Sequence, residues 1–273
     1  MPGRFVNIFL LFALVFISIL FGDAEEHSRT MIAVVLATIF SLLAFIFKWL
    51  TIDGTAAAII FGAIAYGIGG ATGAGVVLAF FITGSILSKD FAAKEGFLKK
   101  KFRRDGNQVW ANGFWFALWI MIWFLTNSDL FLIAAVSSIA VATADTWASE
   151  IGGKTVKGKT KLISTGEIVL PGTHGGISFY GTLAAFCGAI LIALVFGAIH
   201  PVASFAYILI IIATGIVGCF IDSYIGARFQ NNVYSFSGYS IFGYQNLYVT
   251  NDFVNFVSAG LASLIGLFLT LII

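Results

Sequence analysis

Residues 178–199 read S-F-Y-G-T-L-A-A-F-C-G-A-I-L-I-A-L-V-F-G-A-I, with no charged side chain. A helix rises ~1.5 Å per residue, so this stretch is long enough to cross the ~30 Å hydrocarbon core of a bilayer. It is apolar on every side, and a helix of that kind must be buried in protein or in lipid. Lipid offers no partner to a backbone amide, which leaves only helices and closed barrels as spanning forms, and the run is about twice the length of a barrel strand. The stretch therefore reads as a transmembrane helix.

Similar runs recur outward from it. Spans are expected near residues 5–21, 31–48, 54–70, 74–88, 110–126, 130–145, 178–199, 204–221 and 254–273. The expectation is an all-α, polytopic transmembrane helix bundle of about nine spans. Composition agrees: 59% of residues are hydrophobic and 10% charged, against about 25% charged in a soluble domain. No polar segment is long enough for a separate soluble domain, so residues 1–273 read as one membrane domain. Residues 5–21 exceed a signal-peptide core, and Gly22-Asp23-Ala24-Glu25-Glu26 makes a poor cleavage site, so this run reads as a first span. Cys187 and Cys219 lie within apolar runs and read as small hydrophobes rather than disulfide or metal partners. A net charge of +2 gives no reason to expect a nucleic-acid partner.

The distribution of charge orients the chain. With the N-terminus inside, every one of the 15 Lys and Arg residues except Arg29 falls on the inner side. The positive-inside rule then predicts a cytoplasmic N-terminus and an outer C-terminus. The same topology gathers Asp53, Lys89, Asp90, Asn107, Gln108, Asn112, Asp145, Glu150, Asp222, Gln230, Asn251, Asp252 and Asn255 at the inner helix ends and inner loops. Within single helices these residues form narrow stripes. At about 100° per residue, Asp145, Thr146, Ser149 and Glu150 share one side, as do Asp222, Ser223, Gly226 and Gln230. Asp90 or Asp252 alone reads as an acid solvated at the interface, and the tryptophans read as interfacial packing. Asp145, Glu150 and Asp222 sit among small residues at apolar helix ends, where a charge facing lipid would be costly. They are expected to face a wet cavity.

Carboxylates from separate helices, without a His or Cys cluster, suit a hard cation. Mg²⁺ is the natural choice, held by one or two carboxylates together with waters and substrate phosphates. The string G-G-K-T-V-K-G-K-T-K (152–161) supplies lysines, and P-G-T-H-G-G-I-S (171–178) leads backbone amides into a helix N-terminus. Both are suited to anions, and no Walker-type G-x-x-x-x-G-K-[ST] is present. Together these are parts for phosphoryl transfer, although they would equally serve anion transport. Asp145, Glu150 and Asp222 are the expected catalytic and metal-binding residues. Lys89, Asn107, Gln108, Asn112, Ser149, Lys159, Lys161, Gly172, Thr173, Gly175, Gly176 and Ser178 are the expected nucleotide- and phosphate-binding set.

Several strings resemble the signatures of the DUF92 integral membrane family. They are A-T-A-D-T-W-A-S-E-I-G (142–152), P-G-T-H-G-G-I-S-F-Y-G (171–181) and G-C-F-I-D-S-Y-I-G-A-R-F-Q (218–230), with G-S-I-L-S-K-D (84–90), R-D-G-N-Q-V-W-A-N-G (104–113) and N-D-F-V-N (251–255) in the same order. The resemblance covers about residues 50–260, leaving extra N-terminal spans in residues 1–49. His174 departs from it, standing where the family more often has Asn. The family includes the plant phytyl-phosphate kinase of vitamin E synthesis and the animal transmembrane protein 19. A looser likeness to dolichol and phytol kinases rests on Asp145, Ala148 and Ser149, followed by Gly158, Lys159 and Lys161. What the resemblance implies is a Mg²⁺-dependent kinase that transfers a phosphoryl group from CTP or another nucleoside triphosphate to phytyl- or related isoprenyl-monophosphate. Its partners would be an isoprenoid lipid phosphate, a nucleotide and the bilayer, with the active site facing the cytoplasm. A polyprenol kinase, a CTP-dependent lipid nucleotidyltransferase and an anion or lipid-phosphate transporter are the competing readings.

Overall fold

The computed structural model describes residues 3–95, 103–154, 159–201, 203–230, 233–235 and 246–273, with the side chains of 3, 4, 89–95, 233–235, 246 and 247 excepted. Nine helices occur among the described residues: α1 (Gly3–Phe21), α2 (Ala24–Ile46), α3 (Ile52–Gly67), α4 (Gly70–Glu95), α5 (Gly106–Thr126), α6 (Asp129–Gly152), α7 (Phe179–Ile199), α8 (Phe205–Phe229) and α9 (Asn251–Ile272). Each matches one of the apolar runs. Seven are long and apolar enough to cross a membrane, while α3 and the apolar part of α1 (Phe5–Phe21) are shorter. The chain is an all-α membrane helix bundle.

Five helices run four or more residues past the hydropathy boundaries, α2 at its start, Ala24, and four others toward the polar residues. α4 continues to Glu95, α5 begins at Gly106, α6 continues to Gly152 and α8 to Phe229. Local capping accounts for the start of α5. Asp105 accepts the Gln108 N–H at 3.1 Å and Gln108 Oε1 accepts the Asp105 N–H at 3.2 Å, a reciprocal capping box. The polar stripes therefore lie on rigid helix ends rather than in loops. The stretch between α6 and α7 is not purely irregular either. Strands β1 (Thr160–Leu162), β2 (Ile168–Val169) and β3 (Gly176–Ile177) form an antiparallel sheet in the order β2-β1-β3. A second hairpin, β4 (Val233–Ser235) with β5 (Asn246–Tyr248), precedes α9.

The bundle is organised around α6, which packs against α4, α5, α7, α8 and α9. Every residue of α6 from Leu132 to Ala144 is buried. Small residues allow the close crossings: a Cβ on Gly215 would meet Ala189 Cβ at 2.8 Å, and one on Gly266 would meet Ser137 Oγ at 2.6 Å. Helices in lipid associate through such packing and through polar contacts, because water expulsion no longer drives them together. One such contact is the Thr214 hydroxyl, which donates to Ser137 Oγ at 3.0 Å between α8 and α6.

Candidate functional site

The α6–α8 crossing brings two acids together. Asp145, on α6, and Asp222, on α8, both line a cavity of about 170 Å³ at the polar end of the bundle. The i,i+4 stripes read from the sequence supply its helical walls, with Ser149 following Asp145 and Gly226 and Gln230 following Asp222. Asp222 is only 8% exposed. Its Oδ2 accepts a hydrogen bond from the buried Ser258 hydroxyl of α9 at 2.8 Å. Asn255, one turn earlier, reaches the same oxygen at 3.2 Å when its amide is turned to suit its neighbours. Two polar groups from α9 therefore hold Asp222, and Asp145 lies within electrostatic reach of both Asp222 and Glu150.

The loop before α7 closes the cavity. Gly172, Thr173, His174, Gly175, Gly176 and Ser178 all line it, as do Gly181 and Thr182 from the first turn of α7. Gly172 and Gly175 have φ of 83° and 73°, the left-handed region that suits glycine. Gly175 is also pressed onto α8: a Cβ there would lie 2.5 Å from the Ser223 carbonyl oxygen and 2.7 Å from Ala227 Cα. Ser178 is the N-cap of α7, its Oγ accepting the Gly181 N–H at 3.2 Å. A helix N-terminus and a glycine turn thus face the carboxylates across one small space, as an anion site requires. Gln230 links the walls, its amide lying 3.5 Å from His174 Nε2 and donating to Asn251 Oδ1 at 3.4 Å.

Thr160 was not singled out by sequence, and a threonine between two lysines gives no local signal. On β1 it is 2% exposed and lines the cavity. Its hydroxyl has no hydrogen-bond partner among the described residues. Buried polar groups are nearly always hydrogen-bonded, so this hydroxyl is placed to donate to something in the cavity.

Other expected site residues lie elsewhere. Glu150 does not line this cavity; its Oε1 accepts the Ser88 hydroxyl of α4 at 2.7 Å. Gln108 serves the capping box of α5, and Asn112 donates to the Gln108 carbonyl at 2.9 Å. Both line a second, apolar cavity. Asn107 is exposed and lines neither. Lys159 and Lys161 are exposed and not among the lining residues. Lys89 lies on α4, but its side chain falls outside the described residues, as does Gly158.

The donor set fits Mg²⁺ in one particular way. No three His, Cys, Asp or Glu side chains converge among the described residues, so an all-protein cage is absent there. Two carboxylates with hydroxyls nearby are what a Mg²⁺ site needs when waters and substrate phosphates supply the remaining ligands. Asp145 and Asp222 would hold it, whereas Glu150, five residues beyond Asp145 on α6, is turned to Ser88 and is not in this donor set.

Three sequence motifs, far apart in the chain, meet in this cavity, and the model of the integral membrane protein family DUF92 matches residues 35–263. The chain belongs to the DUF92 integral membrane family. The match begins within α2, so about half of the second helix is family sequence. An uncharacterized membrane protein of Methanocaldococcus jannaschii is 38% identical over 164 residues, covering 57% of this chain and 64% of that protein. The chloroplastic protein VTE6 of Arabidopsis thaliana is 30% identical over 236 residues, 80% of this chain and 64% of VTE6. The Arabidopsis protein PGR is 27% identical over 245 residues, 80% of this chain and 83% of PGR. The chain thus spans less than two thirds of the archaeal protein and of VTE6. No solved structure matches it.

Proposed function

We propose that the protein is a membrane-embedded prenyl-phosphate kinase that transfers a phosphoryl group from a nucleoside triphosphate, CTP in the first instance, to phytyl- or a related isoprenyl-monophosphate. The observation that carries this reading is the cavity in which the Asp145–Asp222 pair faces a glycine-rich loop, a helix N-terminus and the Thr160 hydroxyl, which has no hydrogen-bond partner among the described residues. Family resemblance supports the reaction class. Charge asymmetry supports placing the site at the cytoplasmic face.

In this mechanism the backbone amides of Gly172, His174 and Gly175 and the first turn of α7 hold the donor phosphates, and Thr160 donates to one of their oxygens, while the Thr173 and Gly176 amides stay bonded to the Leu170 and Thr173 carbonyls and shape the loop. Asp145 and Asp222 are the residues that would hold Mg²⁺, which would supply charge neutralisation for the transferring group. Ser258 and Asn255 keep Asp222 turned into the cavity. The acceptor is itself an ionised phosphate, so its oxygen attacks the γ-phosphorus without a general base and nucleoside diphosphate leaves. Positioning and charge stabilisation then supply most of the rate enhancement.

The test is turnover by detergent-purified protein given phytyl monophosphate, Mg²⁺ and each of the four nucleoside triphosphates, followed by mass spectrometry. Prenyl diphosphate and nucleoside diphosphate are expected from wild type, with formation of both lowered by at least about 10²-fold in Asp145→Asn and Asp222→Asn. Release of pyrophosphate would instead identify a nucleotidyltransferase. No turnover of any prenyl phosphate or prenol by folded protein would overturn the enzyme reading in favour of transport.

A further inference from the structure

The second cavity, of about 430 Å³, opens between α2, α3, α4 and α5. Its wall is almost wholly apolar, and Phe40, Ala58, Ala65, Val77 and Phe81 are typical of it. Small residues on α3 create the space. Water in such a void would lack polar partners, and the volume lies in the lower part of the range of small-ligand sites. That is room for one hydrocarbon chain rather than two.

One end differs from the rest. Arg104, Gln108 and Asn112 line it. The backbone of Arg104 is pinned beside the start of α3, its N–H donating to the Trp49 carbonyl at 2.9 Å and its carbonyl accepting the Thr51 N–H at 3.1 Å. Its guanidinium lies over the rings of Phe80 and Phe81, at 5.0 and 5.5 Å from their centroids, and donates to Ser85 Oγ at 3.4 Å. Burial lowers Arg104 to about 10 and the nearby Glu150 opposes that fall, so it remains a cation at neutral pH. This end also adjoins the first cavity. Asn255 lies 3.5 Å from Asn112 Oδ1 in one amide orientation and 3.2 Å from Asp222 Oδ2 in the other. Glu150 lies within electrostatic reach of both Arg104 and Asp145.

We propose that this cavity holds the chain of a single-chain isoprenoid phosphate, with the phosphate at Arg104 and Asn112 and the chain running along α3 away from Thr51. An apolar cleft closed at one end by a fixed cation is complementary to a ligand with one anionic head and one hydrocarbon tail. The inference rests on the kinase reading for the identity of the phosphorylated lipid, and it adds where the acceptor lies. The two substrates approach from different cavities and meet at the carboxylates. Cavity depth along α3 then measures the chain. Ala58 lies near the polar end and Ala65 two turns deeper, about 10 Å further at ~1.5 Å per residue.

The test measures binding without nucleotide, by native mass spectrometry of the full chain, using geranyl monophosphate and geranylgeranyl monophosphate as probes. Ala65→Phe is expected to keep the affinity for geranyl monophosphate and lose at least tenfold for geranylgeranyl monophosphate. Ala58→Phe should weaken both at least tenfold, and Arg104→Gln should abolish the preference for geranylgeranyl monophosphate over geranylgeraniol. Dioleoyl phosphatidic acid should compete at least tenfold less well than geranylgeranyl monophosphate. Unchanged chain-length dependence in folded Ala65→Phe, or equal competition by phosphatidic acid, overturns the proposal. If either alanine variant fails to fold, cross-linking of wild type with a diazirine-bearing farnesyl monophosphate decides. Label on α3 and α4 cavity residues supports the proposal, and label confined to other helices overturns it. Turnover with unchanged chain preference would sink this inference alone, whereas cavity binding without turnover would sink the kinase reading alone.

Discussion

Alanine in place of Gly175 tests whether the loop before α7 is a positioned phosphate cradle. Gly175 has φ of 73°, and an L-residue there costs about 1–2 kcal/mol. Its new Cβ would sit 2.7 Å from Ala227 Cα and 2.5 Å from the Ser223 carbonyl oxygen, whereas carbon atoms rest at ~3.5–4 Å. The loop must lift from α8 by about 1 Å, or remain in place at an overpacking cost of about 1–3 kcal/mol. A displacement of about 1 Å at a reacting site costs roughly 10²-fold in rate. Gly172 provides the control within the same loop. Its φ is 83°, but nothing lies within 4 Å of a Cβ built there. Gly172→Ala bears only the conformational cost, and its rate should stay within roughly fivefold of wild type. The assay is prenyl diphosphate formation by both variants, alongside thermal unfolding of each. Equal losses in the two variants, or full activity in Gly175→Ala, would refute the idea that contact with α8 positions the loop.

Four further outcomes follow from the same geometry. Asp145→Asn and Asp222→Asn should each lower turnover by at least about 10²-fold, with a raised Mg²⁺ requirement on titration and helical circular dichroism unchanged. Thr160→Val removes a buried hydroxyl that has no partner among the described residues. The melting temperature should hold or rise, while KM for nucleotide increases by about five- to tenfold. Gly218→Val places methyl groups against both Val141 and Ala262, the latter 2.8 Å from the first added carbon, and should destabilise the bundle by about 1–3 kcal/mol, read as a lower melting temperature. His200, just beyond α7, is held below its ordinary 6.5 by burial, with Asp129 opposing. The folded state therefore binds fewer protons than the unfolded one near that pH, so stability is full above 6.5 and declines as pH falls through the lowered value. His200→Gln should flatten that acid limb in melting temperatures followed from about pH 8 to about pH 5.

What the sequence alone determined follows from local properties. Hydropathy over a helix length placed the nine helices of the described residues, seven of them long and apolar enough to cross a membrane, because the cost of exposing a backbone amide to lipid leaves a long apolar run no other form. Helical period placed Asp145 with Ser149 and Asp222 with Gln230, because four residues make about one turn and eight about two. The glycine-rich entry to α7 was legible for the same reason, since Ser178 caps the helix that follows it. Tertiary structure decided which stripes face each other. Asp145 and Asp222 share a cavity because α6 and α8 cross at Gly215 and Gly218, where a side chain would collide with Ala140 or Val141. Rotation about a helix axis is fixed by such contacts between distant parts of the chain, and no local pattern encodes it. Rotation also sets Glu150 toward Ser88, gives Gln108 and Asn112 to the apolar cavity, and brings Thr160 in on a strand of a sheet that hydropathy does not reveal. Arg104 shows the difference most directly. In the sequence it is one basic residue in a basic loop, and only the packing of α3 against α4 and α5 makes it the charged end of a hydrocarbon-lined space.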